Sequence, residues 1–440
     1  MKNKLIINII IANLLWGFIP VIVEELFLDI SIIMVIFLRF LISGVILLIL
    51  AVILVIINNK FTHNEPLPLK ILFTNLVRKN RRFFDVKNIL YYLYLGFFGI
   101  ILNIIFFFLT LKTTSITFTM VGFLLSVIFI AFYEKGVNFE KFDVFKVLYI
   151  ILLFFTIIIL IFVGSTGAAL SGAPVMLNGI IYLLIFSISI SFLYIAINRD
   201  AYSSEEITII NKNWNYKIPR FLLKMSLSFL FGIVCMIPFV LLIQIIPFET
   251  DLTDEISNFF SQFTSISMIL GRWDMIFLII FTTIIPYLLI FIANVNWKSE
   301  NLTYSQWSSI LNLIDPMGSI IFSVIFVNEY FPHELLIIVI FLLVFTFLIR
   351  YSHEVKNLVQ AVLLLRLKKG STNRIALRVL KYYGINSIYA LVGTHDLLLN
   401  VKISSIKDFY NLINLRLKPL EEIKDIEILY INKVEKTPTS

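Results

Sequence analysis

The chain has 440 residues, 59% of them hydrophobic and 15% charged, with a mean hydropathy of +0.95; soluble domains run at about 45–50% apolar and about 25% charged, so a soluble protein is excluded. A formal net charge of +8 would suggest a nucleic-acid partner in a soluble chain, but here the basic residues fall between long apolar runs, as membrane topology demands, and no nucleic-acid partner is expected. One cysteine, Cys235, and four scattered histidines, His63, His333, His353 and His395, exclude an intrachain disulfide framework and offer no metal-ligand spacing. No cofactor, metal or catalytic constellation is expected, and the chain reads as a non-enzyme.

A helix needs about 20 apolar residues to cross a hydrocarbon core about 30 Å thick. Runs bounded by charge, Pro and Asn predict ten spans, over residues 5–27, 30–57, 89–111, 115–133, 145–163, 177–198, 226–246, 274–295, 303–327 and 334–351. The first follows Lys2 and Lys4 as a signal peptide would, but Glu24 and Glu25 stand where a small-residue cleavage site belongs, so it is a retained span. All ten must be helical, because backbone in lipid has to satisfy its own hydrogen bonds.

Charge alternates between the connections. The loop after span 2 carries Lys60, Lys70, Arg78, Lys79, Arg81, Arg82 and Lys87; that after span 4 carries Lys135, Lys141 and Lys146; that after span 6 carries Arg199, Lys212, Lys217, Arg220 and Lys224. Residues 164–178 are uncharged, and 247–273 hold Glu249, Asp251, Asp254 and Glu255 against Arg272. Basic loops stay inside, which places both termini in the cytoplasm of a multi-pass protein of the cell membrane, with the lipid bilayer as its first partner.

Polar residues within the spans mark a candidate site. Span 1 presents Asn13, Trp16, Pro20 and Glu24 on one face, and span 6 presents Ser187, Ser191, Tyr194 and Asn198. Span 9 carries Ser308, Asn312, Asp315, Ser319 and Ser323 at helical spacing, with Pro316 able to release a carbonyl. A charge such as Asp315 at mid-span costs about 2.5–3.5 kcal/mol to insert, which marks it for function. Together these faces outline a midplane site in which Trp16 and Tyr194 pack a small-molecule substrate and Asn13, Asn312 and Asp315 bond it. Close helix packing explains the serines equally well, and filling the bundle is as good a role for Trp16. Glu24 and Glu25 are more simply placed at the outer mouth. Arg39, basic and well inside span 2, either pairs with a residue such as Glu24 or meets an anionic substrate; Asn103 and Tyr287 are weaker candidates.

Residues 112–163 and 301–350 share a layout in which an acidic residue, Glu134 or Glu329, follows one apolar run and precedes another. Five spans lie on either side of the midpoint, and because five is odd the halves enter the membrane in opposite senses. The expected domains are 1–163, with a basic loop at 58–88, then 164–352, then a tail at 353–440.

Trp16-Gly17, the run Phe37-Leu38-Arg39-Phe40, and Asp315-Pro316 followed by Glu329 resemble the EamA-type drug/metabolite transporter superfamily. The resemblance covers about residues 5–350. It implies an all-α bundle of ten transmembrane helices in two inverted five-helix repeats that carries small metabolites, amino acids among them, often outward or in exchange. An Arg at the place of Arg39 recurs in that family.

After Arg350 the pattern changes to strand 361–367, helix 372–383, strands 387–392 and 397–403, helix 406–420 and strand 426–434. This βαββαβ order is the ferredoxin-like plan, an α+β fold. With its Gly393-Thr394-His395-Asp396 turn, the tail resembles the Lrp/AsnC ligand-binding (RAM) domain. The resemblance implies dimerisation through the sheets and an amino-acid effector near Gly393, Thr394, His395 and Asp396, while the DNA-binding unit of such regulators is missing. The sequence thus points to a secondary transporter with an effector-sensing tail; the alternative is a membrane receptor that senses a small metabolite without translocating it.

Overall fold

The computed structural model describes residues 2–61, 90–138, 144–170, 177–198, 217–245, 250–297, 302, 304–356, 359–368, 370, 372–380, 382, 384–403 and 406–430. The basic connections 62–89, 139–143 and 199–216, the side chains of Glu134 and Asn198, and the end of the tail from 431 lie outside the described residues.

Ten helices are long and apolar enough to span a membrane: Lys4–Leu26, Ile32–Lys60, Leu90–Thr113, Ile116–Tyr133, Val144–Thr166, Leu177–Tyr194, Ile218–Ile245, Trp273–Ala293, Gln306–Val327 and His333–Val355, here spans 1 to 10. Their outward faces stay apolar, as a lipid surface requires: Phe154, Phe155, Ile158 and Phe162 on span 5 and Ile337, Phe341 and Phe345 on span 10 are exposed. One expected boundary shifts markedly. Span 7 belongs to a helix that begins at Lys217, so Arg220 and Lys224 sit in helix rather than loop. Lys146 likewise lies within the helix Val144–Leu170 and is buried. Long basic side chains let an apolar helix run past the hydrocarbon edge, which is why charge alone misplaced that end.

The helix contacts repeat with a shift of five. Span 1 packs on span 8 and span 9, and span 6 packs on span 3 and span 4; span 2 meets span 8 as span 7 meets span 3. Spans 2 and 7, 4 and 9, and 5 and 10 pair directly across the halves. A bundle unchanged by that exchange is two inverted five-helix repeats. Where spans 3 and 7 cross, a Cβ at Gly96 would stand 2.3 Å from the Ser228 carbonyl oxygen, and one at Gly232 would stand 2.6 Å from that of Gly96. The two backbones approach so closely only because both residues are glycine.

Four spans depart from α-helix near mid-depth. Span 1 breaks between helices Lys2–Gly17 and Ile19–Leu26, just before Pro20, and span 9 breaks at Asn312 and Leu313, before Pro316. Spans 3 and 8, mates under the five-span shift, each carry a π-helical stretch, Leu93–Leu102 and Ile280–Ile284. Such widened turns often occur at functional sites.

The connection between spans 7 and 8, expected only as an external acidic segment, contains the helix Asp251–Ser261. Thr250 and Thr253 cap it reciprocally, and Leu252, Ile256 and Phe259 are buried beneath it. Turn-forming and acidic residues hid its apolar face, which recurs at helical period over only three turns.

The tail is a four-stranded antiparallel sheet in the order β2-β3-β1-β4, with β1 Val359–Leu367, β2 Ile385–Ala390, β3 Leu397–Ile403 and β4 Ile423–Tyr430. Helices Thr372–Val379 and Ile406–Asn411, the latter continued by the π turn Leu412–Leu417, cover one face. Alternate residues Ala361, Leu363, Leu365, Leu397, Leu399 and Val401 form its separate core with Ile375, Phe409 and Leu412. The first helix ends at Val379, short of the expected Tyr383, because Gly384 with φ +87° turns the chain into β2. This is the ferredoxin-like fold expected from the sequence.

Candidate functional site

A cavity of about 70 Å³ lies where the broken and widened spans converge. Span 1 supplies Trp16 and Ile19, span 2 Arg39 and Phe40, span 8 Tyr287 and span 9 Asp315; spans 3, 4 and 6 supply the rest, chiefly Phe107, Phe123, Phe186 and Tyr194. Both repeats therefore build it.

Each polar wall residue has a local reason for its place. Asp315 opens the second half of span 9, in the first turn after the break, and is buried. Pro316 has no N–H for the Asn312 carbonyl four positions earlier, so the helix is interrupted beside the carboxylate. Gly17 lets span 1 close on that stretch, since a Cβ there would lie 3.2 Å from the Asp315 carbonyl oxygen. Trp16 then meets Tyr287 edge to face at 5.5 Å between ring centroids. Asn103 follows the π-helical stretch of span 3, with its Oδ1 buried and unpartnered.

Arg39 is 2% exposed. Its Nε donates to Thr283 Oγ1 at 2.6 Å, and its Nη2 to the Thr282 carbonyl at 3.1 Å and Thr282 Oγ1 at 3.2 Å. Nη1 is buried with no partner. Among the described residues Arg39 forms no ion pair, with Glu24 or with Asp315, so the sequence-based pairing with Glu24 gives way to a pair of threonines on span 8. The guanidinium faces the bundle interior because span 8 offers acceptors there.

Of the six substrate residues expected from sequence, Trp16, Arg39, Tyr194 and Asp315 line the cavity, as do the weaker candidates Asn103 and Tyr287. Asn13 and Asn312 are not among the lining residues. The Asn13 amide donates to the Ile9 carbonyl at 2.8 Å, one turn back on its own helix, and Asn312 occupies the break of span 9. Ser187, Ser191 and Ser323 return their hydroxyls to their own helices, and Ser191 also reaches the Ser126 carbonyl of span 4 at 3.4 Å, which is the packing role. Sequence reasoning missed the Phe walls, which look like any apolar residue in a span, and the two threonines, whose signal was Pro286 four positions after Thr282.

In the tail, Gly393 has φ +151° and the turn is exposed up to Thr394. Asp396 is committed to the fold: its Oδ2 accepts from the Leu367 N–H at 2.6 Å, and its own N–H donates to the Leu365 carbonyl at 2.9 Å. His395 Nε2 lies 3.3 Å from Glu427 of β4, and its Nδ1 is 3.2 Å from Thr394 Oγ1.

A family model for EamA-like transporters matches residues 3–162, and one for the Lrp/AsnC ligand binding domain matches residues 360–439. The tail is similar to an Lrp/AsnC ligand-binding domain. The transporter match ends with span 5; for the second half, the likeness rests on the repeated pattern of helix contacts. A search of curated proteins found no match.

Proposed function

We propose that this transporter is a secondary carrier for a small zwitterionic solute, an amino acid or close relative, moved outward or in exchange across the cell membrane. The observation that carries the reading is the cavity shared by Arg39 and Asp315, a buried guanidinium and a buried carboxyl group that do not pair with each other. A carboxylate fits the free Nη1 of Arg39, and an ammonium fits Asp315 with Asn103 Oδ1. The aromatic walls, Phe107, Phe123 and Phe186 among them, suit an apolar substituent. Asn13, whose Oδ1 is buried and unpartnered, and Asn312, at the break of span 9, stand outside the lining. The charge pattern of the connections supports two cytoplasmic termini and so a tail that samples the cell interior.

The tail supports a further layer: an amino-acid effector binding near Gly393, Thr394 and His395, with Asp396 shaping the turn, and pairing of two copies through the sheets. Such an effector adjusts transport only if it binds one conformation more tightly than another. A sensing domain also favours the second reading, a receptor that binds without translocating. Uptake into proteoliposomes separates them. A carrier accumulates radiolabelled amino acid inside the vesicles against an empty-vesicle control, whereas a receptor gives saturable binding with no solute inside.

A further inference from the structure

Arg39 and Asp315, a base and an acid, line one cavity and form no ion pair among the described residues. Opposite charges in a site of low polarity attract strongly, and a guanidinium on a long side chain can follow that attraction. Span 8 supplies three acceptor contacts on one edge of the guanidinium: Thr283 Oγ1 at 2.6 Å from Nε, and the Thr282 carbonyl and Oγ1 at 3.1 and 3.2 Å from Nη2.

The acceptors are there for reasons of sequence. Pro286 has no N–H, so the Thr282 carbonyl four positions earlier lacks its α-helical donor. The helix widens into a π turn over Ile280–Ile284, and Arg39 takes that carbonyl. Thr283 Oγ1 donates its own proton to the Leu278 carbonyl at 2.8 Å, which leaves a lone pair for Nε. With Nε and Nη2 occupied, Nη1 is the one nitrogen left unpartnered.

We propose that Thr283, assisted by Thr282, is a positioning residue that keeps Arg39 from collapsing onto Asp315 and so preserves two separate poles in the cavity. The proposal rests on the carrier reading for its purpose, but its physical content does not depend on a substrate. Neither threonine touches the solute. Their role is to keep a charge unspent until the solute arrives.

The test is a melting-temperature cycle on the full-length protein in nanodiscs, with Asp315→Asn introduced into wild type, Thr283→Val, Thr283→Ala and Thr283→Ser. In wild type and Thr283→Ser, Asp315→Asn should leave the melting temperature unchanged or raise it, because it removes a buried carboxyl group that has no ion-pair partner among the described residues. In Thr283→Val and Thr283→Ala it should lower it, because it breaks the Arg39–Asp315 pair those variants allow. An equal shift in all four backgrounds would overturn the proposal. In parallel, Thr283→Val should raise the KM for L-leucine uptake about tenfold or more, the loss of one charge-assisted contact, with less effect on Vmax, and Thr283→Ser should restore it. Absence of L-leucine uptake by wild type would count against the carrier reading as drawn here, while the melting cycle would still decide the role of Thr283.

Discussion

The Lys112 ammonium lies 2.5 Å from Glu255 Oε1, joining the end of span 3 to the helix that bridges spans 7 and 8. Glu255 is 2% exposed, and its other oxygen accepts from the Ile32 N–H at 2.6 Å, while Ser31 Oγ donates to its carbonyl at 2.7 Å. Gln262 accepts from Ser31 N–H at 2.9 Å, and Arg272 reaches Asp29 at 3.0 Å. Bonds to Asp274 and Asp29 raise the Arg272 guanidinium above its ordinary pKa, so it stays charged. Glu329, in the turn between spans 9 and 10, accepts from the Thr117 N–H at 3.0 Å. One end of the bundle is therefore tied across both repeats.

Glu255→Gln should loosen that end. The amide still accepts from Ile32, but the charge partner of Lys112 is gone, at a cost of about 1–3 kcal/mol for the strained contacts of a buried polar group. A lower melting temperature in high and low salt alike is expected, since the carboxylate is buried away from screening ions. A loss confined to low salt would show the pair to be a surface contact.

Asp315→Asn should abolish transport while leaving expression and monodispersity intact. It keeps the shape and removes the pole that faces an ammonium. Unchanged uptake would remove Asp315 from the site.

Gly96→Ala should destabilise the bundle by about 1–3 kcal/mol, the range for overpacking a tight contact. Its Cβ would meet the Ser228 carbonyl at 2.3 Å, whereas the nearest atom at Gly271 is 3.5 Å away. Gly271→Ala therefore serves as the tolerated control in the same melting assay. Equal melting of the two variants would mean that spans 3 and 7 separate readily.

Asp396→Ala should unravel the turn from Gly393 to Asp396, because the Leu367 N–H loses its acceptor at 2.6 Å, a loss of about 1–3 kcal/mol. Hydrogen exchange on the full-length chain should show faster exchange at Leu367 and along Gly393 to Leu397. Protection equal to wild type would show that backbone pairing alone holds the hairpin.

The spans were legible because lipid forces one pattern, a run of apolar residues long enough to cross. One end drifted where basic side chains sat within a helix, as Arg220 and Lys224 do. Charges inside spans flagged Arg39 and Asp315, since an intramembrane charge needs a reason. The partners of Arg39 were not legible: Thr282 and Thr283 are ordinary residues until Pro286 is counted back four positions and folded against span 2. Phe107, Phe123 and Phe186 were equally silent, because a phenylalanine facing a cavity and one facing lipid share the same sequence signal. Asn13 was expected as a ligand from its helical face alone; its Nδ2 donates to its own helix, while its Oδ1 is buried without a partner.

Side-specific thiol labelling of Phe123→Cys, built on Cys235→Ala in oriented vesicles, tests most directly whether the Arg39–Asp315 hollow serves a carrier. The account predicts that a membrane-impermeant maleimide reaches position 123 from the end opposite the Lys112–Glu255 tie, that Glu255→Gln adds labelling from the tied end, and that an amino-acid substrate slows both. Labelling from one side only in every variant and condition would contradict it, for a pocket with a single mouth cannot move its contents across.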